Sequence, residues 1–228
     1  MLAKRIIPTI LNKNGHLVKG RGFACDRVVG NAMQAARVYA MRGVDELMIL
    51  YVGEPDYRSI KQLSSKCFAP VTVGGGIKTA EHVRELLNNG ADKVCIGSST
   101  DIIPELSERF GRQCITVSLE RREHNSIEDM KISAKQAAEA GAGEILLHSV
   151  DRDGTMEGYD LELIEAVSES VSIPVVASGG CSGYEDMFNA IKAGASAVAA
   201  GALFQFTDSR PKSAAEYLHN HGVEVRLC

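Results

Sequence analysis

Two widely separated segments of this chain are built to one plan. Residues 70–83 read PVTVGGGIKTAEHV and residues 174–187 read PVVASGGCSGYEDM. Each is a short apolar run, a glycine turn and a helix-patterned stretch. The likeness continues on both sides: RGVDELMIL (42–50) parallels AGAGEILLH (140–148), and GADKVCIGSS (90–99) parallels GASAVAAGAL (194–203). The spacings agree closely, so the second half repeats the first. Few folds are open to a chain that writes one supersecondary plan twice.

The intervening pattern narrows the choice. Apolar, largely β-branched runs begin near Ile6, Leu47, Pro70, Val94, Ile115, Ile145, Pro174 and Ala197. Between them lie helix patterns such as NAMQAARVYAMRG, AEHVRELLNNG and SAKQAAEAGAG, several closed by a glycine at the helix end. The strand runs are apolar on nearly every residue, which predicts cover on both faces, as in a parallel sheet. Eight strand–helix units in 228 residues predict an α/β fold, a (β/α)8 TIM barrel. One domain is expected over 1–228, with half-barrels at about 1–111 and 112–228. A doubly wound open sheet shares the alternation and is the alternative. The repeat, matching strands one to four with five to eight, favours closure.

Composition excludes several function classes. The chain is 45% hydrophobic with a formal net charge of -4, and no basic run suggests nucleic-acid binding. No run of about 18 apolar residues predicts a membrane span, and the N-terminal apolar stretch is too interrupted for a signal peptide. A soluble, cytoplasmic protein is expected. The six cysteines (25, 67, 95, 114, 181 and 228) lack C-x-x-C spacing. Cys95 and Cys114 lie in apolar runs and read as reduced, buried thiols. No metal or cofactor is expected; His219 and His221 beside the C-terminus do not make a metal site.

In a barrel, glycine turns after the third and seventh strands lie on the C-terminal, active face. There, missing side chains let backbone N–H groups and a helix N-terminus approach a phosphate. Gly75 and Gly76 with Gly97 and Ser98 form one expected cradle, and Gly179 and Gly180 with Ala200 and Gly201 the other. Two cradles half a barrel apart suit a ligand phosphorylated at both ends. The sixth strand ends in HSVDRDGT, which puts His148, Asp151, Asp153, Gly154 and Thr155 at the same rim. That stretch also reads as a plain turn held by aspartates and closed by glycine. Glu120 ends the fifth strand. The first ends in Leu11 and Asn12 without a carboxylate, so a pair of acids, one from each half, is not available for proton transfer.

Taken together, RIIP, GVDEL, VGGGI, GADKV, GAGEILL followed by DRDGT and GYD, and ASGG resemble the cyclase subunit of imidazole glycerol phosphate synthase, over essentially the whole chain. The resemblance implies an ammonia-dependent lyase/cyclase, binding a doubly phosphorylated substrate. It also implies a HisH-type glutaminase docked on the N-terminal barrel face, sending ammonia through the core. The family's strand-one catalytic aspartate falls on Leu11 and its strand-five aspartate on Glu120; Asp153 is the other acid at the rim. An asparagine–threonine pair falls on Gly97 and Ser98, a strand-two aspartate on Tyr51, and a strand-six threonine on His148. Lys19 matches a family lysine used on substrate phosphate or in loop closure, although a solvated loop lysine fits as well. The chain is short between Glu120 and Ile127, where the family carries a longer substrate-binding excursion.

Arg5, Glu46, Lys93 and Glu144 each stand at the start of an expected strand. By residue type alone they read as a salt-bridge plug; the resemblance implies an ammonia gate, with Asp92 at the glutaminase contact. Leucine cannot move a proton, so the expected function is an ammonia-receiving synthase subunit serving sugar amidation in glycan biosynthesis, as in a paralogous branch of the family, with a sugar amidotransferase as further partner. The alternative is a histidine-pathway cyclase using Glu120 and Asp153.

Overall fold

The β-branched runs close on themselves. The structure, a computed structural model, describes residues 3–24, 27–97 and 100–227. After β1 (Arg5–Lys13) come β2 (His16–Lys19) and β3 (Arg27–Asn31), then β4 (Leu47–Tyr51), β5 (Val71–Gly74), β6 (Lys93–Ile96), β7 (Ile115–Arg121), β8 (Glu144–Ser149), β9 (Val175–Ser178) and β10 (Ala197–Ala200). The helices are α1 (Ala32–Met41), α2 (Tyr57–Ser64), α3 (Ala80–Asn88), α4 (Ile103–Phe110), α5 (Ile127–Ala140), α6 (Leu161–Ser170), α7 (Tyr184–Lys192), α8 (Ala202–Phe206) and α9 (Pro211–Asn220). β1 and β4–β10 pair in parallel, and β10 returns to β1 with Arg5 opposite Ala197 and Pro8 opposite Ala200. The fold is the expected (β/α)8 barrel, and closure excludes the open sheet.

Three local departures have physical causes. β2 turns back on β1 as an antiparallel hairpin, which β3 extends, and the apolar pattern did not predict it. Its signal was the Asn14–Gly15 pair, both at positive φ, the usual chemistry of a two-residue hairpin turn. α5 begins at Ile127, ahead of the expected SAKQ stretch, because Ser126 and Asp129 form a reciprocal capping box. Cys114 is half-buried rather than core, since it lies on the short turn before β7. Cys25 and Cys228 lie outside the described residues.

Side chains alternate across each strand, so every second residue points into the barrel. Ile7, Met48, Cys95, Leu146, Val176, Ala197 and Ala199 pack together as one apolar layer, distinct from the larger core under the helices. Beneath it, at the strand starts, the four expected charges meet. Arg5 pairs with both Glu46 and Glu144. Lys93 Nζ lies 2.9 Å from Glu46 and 3.1 Å from Glu144. Thr72 Oγ1 donates to Glu46 at 2.6 Å and Thr116 Oγ1 to Glu144 at 3.4 Å. Burial pushes the Glu46 carboxyl up, but Lys93 and Arg5, with Thr72, outweigh it and hold it below the usual carboxylate range.

The glycine turns have a steric cause that repeats across the two halves. A Cβ on Gly75 would lie 2.0 Å from the Tyr51 carbonyl oxygen, and one on Gly179 would lie 2.4 Å from that of Ser149. Both backbones sit near φ +95°, where L-residues are strained. At Gly97, by contrast, a Cβ would meet nothing within 4 Å. Gly179→Ala is therefore expected to lower stability by roughly 1–3 kcal/mol or more, whereas Gly97→Ala changes it little. Urea denaturation of both variants checks the contrast, and equal midpoints would refute it.

Candidate functional site

The C-terminal rim opens as two chambers. The first has a volume of about 500 Å³ and is lined by Gly75, Gly76, Gly97, Ser118 and Glu120. The second, of about 50 Å³, is lined by Lys19, Asp153, Gly154, Gly179, Gly180, Ala200 and Gly201. Leu11, Leu50, Phe23 and His148 line both and stand between them. Each glycine turn thus reaches its own chamber. Ser98 lies outside the described residues.

The hairpin roofs the second chamber. Lys19 is buried, not solvated as one reading of its loop expected, because β2 carries it back over the rim to Asp153, where Nζ and Oδ1 are 2.5 Å apart. Gly22 N–H donates to the Asp153 carbonyl at 3.1 Å. Gly154 at φ +74° lets the loop lie flat, since a Cβ there would be 2.1 Å from the Gly20 carbonyl oxygen. Thr155 turns its hydroxyl to the Arg152 carbonyl at 2.9 Å, closing the DRDGT turn. Asp151 is exposed.

Glu120 and Asp153 line different chambers. Glu120 is exposed and lies 3.5 Å from Arg122. Tyr51 is buried, and its phenol is pushed up to about 12, first by burial and then by the Asp56 carboxylate. The Cys95 thiol below is likewise pushed up to about 12, by burial first and then by the charges of Glu144, Glu120 and Glu46. Both are neutral at pH 7 and offer no nucleophile there.

His148 drew little notice as a sequence feature, yet it occupies the centre of the rim. It is 7% exposed, and β-sheet register sets it between Glu120 on β7 and Ser178 on β9. Its Nδ1 lies 2.8 Å from Ser178 Oγ and its Nε2 3.9 Å from Asp153 Oδ1. The Phe23 ring covers it, with centroids 4.7 Å apart, and Phe23 itself is held at φ +67°. Burial pushes the imidazole down to about 4, against the opposing pull of Asp153 and with help from Lys19 and Arg122. No local pattern marks this role, because the partners come from β9, the hairpin and the turn after β8.

At the opposite end, Asp92 accepts the Val71 N–H at 2.8 Å and remains exposed beside Lys93. Phe68, in the loop entering β5, is wholly exposed, as is most of Met41, ahead of β4. Among the described residues there is no cluster of metal-ligating side chains and no helix long and apolar enough to cross a membrane.

A family described as histidine biosynthesis protein matches residues 5–209. A Campylobacter jejuni protein provisionally described as imidazole glycerol phosphate synthase subunit hisF2 is 40% identical, with both chains covered in full. Imidazole glycerol phosphate synthase subunit HisF of Endomicrobium trichonymphae is 40% identical over 99% of this chain and 96% of its own. That of Streptomyces coelicolor is 41% identical over 99% of each.

His148 predicts a specific acid sensitivity. Its folded pKa is lowered to about 4 from 6.5, so the unfolded chain binds the proton more readily. The contribution is fully present above pH 6.5 and is lost as pH falls towards 4, by at most about 3 kcal/mol. Glu46, depressed below 4.5, loses its contribution only in the more acidic window. Urea midpoints between pH 7 and 4 are expected to fall for the wild type and to flatten in His148→Gln; parallel curves would refute the assignment.

Proposed function

The chain belongs to the histidine biosynthesis protein family and is of the HisF type of imidazole glycerol phosphate synthase subunit, at about 40% identity; from that premise we propose that it is the ammonia-receiving barrel of such a synthase. In this reading a HisH-type glutaminase docks on the N-terminal face. Neutral ammonia passes the Arg5, Glu46, Lys93 and Glu144 ring and the apolar layer above it. It then meets a doubly phosphorylated substrate held by the two glycine turns. The observation that carries the reading is the alignment of a charge-neutral ring, an apolar layer and a two-chambered mouth along one barrel. Mutually paired charges leave little net field along the axis, which suits passage of a neutral molecule.

The mouth sets the expected rate. Glu120 and Asp153 supply the carboxylates, with Lys19 and the Gly75, Gly76, Gly179, Gly180, Ala200 and Gly201 backbone on phosphate. Leu11 places an isobutyl group where a strand-one acid would move a proton. Losing one positioned acid or base typically costs ~10²–10⁴ in rate. Leu11 also favours a second reading, in which the barrel only conducts ammonia, for sugar amidation with an amidotransferase partner.

An ammonia-dependent cyclase assay with the doubly phosphorylated substrate separates the two. The first reading expects slow turnover that Leu11→Asp raises at least tenfold; no turnover in either protein, with glutaminase binding intact, selects the second. Phe68→Asp is expected to weaken glutaminase capture without lowering the melting temperature, and Asp92→Ala to weaken it at a small cost in stability, since the Val71 N–H loses its acceptor. Lys93→Ala removes one arm of the ring and costs roughly 3–5 kcal/mol if the buried glutamates are left uncompensated. Its glutaminase coupling is expected to change even where folding survives. Well-folded variants that bind and couple like the wild type would leave only a structural plug.

A further inference from the structure

We propose that His148 is a ligand-contacting residue, whose Nε2 donates a hydrogen bond to a tetrahedral oxyanion, the phosphoryl group of a small phosphorylated ligand, in the second chamber. The inference rests on the phosphate reading of the glycine turns and adds a side chain to it. Three observations converge on Nε2. It is a buried polar atom with no partner in the protein, and buried polar groups of this kind are otherwise nearly always satisfied. It belongs to a residue that lines the chamber together with Lys19, Gly179, Gly180 and Gly201. Its ring is fixed from the far side by Ser178 Oγ at 2.8 Å and from above by Phe23, so the atom cannot swing away to water.

The electrostatic surroundings choose the tautomer. The Asp153 carboxylate lies on the Nε2 side at 3.9 Å, which favours a proton there, and Ser178 then donates its hydroxyl to Nδ1. The charged groups facing the ring are Asp153 and Lys19, paired with one another, and Arg122, with Glu120 its register neighbour on β7. Held neutral, the imidazole presents one N–H into the chamber rather than a second cation beside Lys19. A volume of about 50 Å³ has room for about four waters, or one tetrahedral anion. An anion accepting from Nε2 and from a Lys19 N–H not taken by Asp153 would satisfy the unpartnered nitrogen and share the lysine with that carboxylate. A hydrogen bond to a charged acceptor is among the stronger ones.

Inorganic phosphate is the probe. In the full-length protein at pH 7, titration is expected to shift the backbone amide resonances of Gly179 and Gly180 and the ring nitrogen resonances of His148 with one common dissociation constant. His148→Ala is expected to weaken that site about tenfold or more, while Gly75 and Gly76 titrate as before. His148→Gln, which keeps an amide N–H, is expected to recover most of the loss. Should either variant fail to fold, the wild-type ring resonances decide alone. Ring resonances that stay fixed while Gly179 and Gly180 shift, as when a water satisfies Nε2, would overturn the His148 contact and leave the glycine cradle standing. No shift at either glycine turn would overturn the phosphate reading and this inference with it.

Discussion

The hydrogen bonds between β10 and β1 close the sheet, and closure leaves an interior only wide enough for side chains. Each stave must then spend alternate residues on that interior. The barrel fills from its N-terminal end in three layers: paired charges, apolar side chains, then an open mouth. The glycine turns follow from the same constraint. Adjacent βα loops crowd at the rim, and the carbonyls of Tyr51 and Ser149 leave no room for a Cβ at Gly75 or Gly179. The glycines are therefore demanded by backbone packing first, and any ligand uses the space that packing leaves.

The two ends of the barrel obey different energetic rules. At the N-terminal end Glu46 and Glu144 are nearly sealed from water, which is costly for carboxylates unless attraction and hydrogen bonds offset the desolvation. Arg5, Lys93, Thr72 and Thr116 supply both, so the ring stands only while it is complete. At the mouth the bias is apolar. Leu11 and Leu50 form a floor between the chambers, and His148 under Phe23 forms a wall. Phe23 and His148, in ring contact and lining both chambers, mark the boundary between them.

Much of this was legible in the residue order. The eight staves were readable because a buried parallel strand needs an unbroken apolar run, and each such run became a strand within a residue or two. The four ring charges were readable because each stands at the start of a stave, three at its first position and Glu46 one residue ahead. The glycine turn at Gly179 and Gly180 followed from the repeat, and the Asp153 turn from the end of the apolar run before it. The hairpin was missed because β2 is too short to show an apolar pattern and β3 is largely exposed, which leaves Asn14–Gly15 as its signal. Glu120 and Asp153, the two acids the cyclase alternative drew on, lie in separate chambers.

What sequence by itself determined is the local grammar: strand, glycine turn and helix, written twice, with charges at the strand starts. Those features follow from periodicity and backbone sterics, which act over a few residues. Only the tertiary structure decided what faces what at the mouth. Lys19 meets Asp153 across 134 positions of chain, Phe23 covers His148, and Ser178 holds the imidazole in place. Contacts of that range are fixed by barrel closure and by the path of the hairpin, and no short stretch of sequence encodes either.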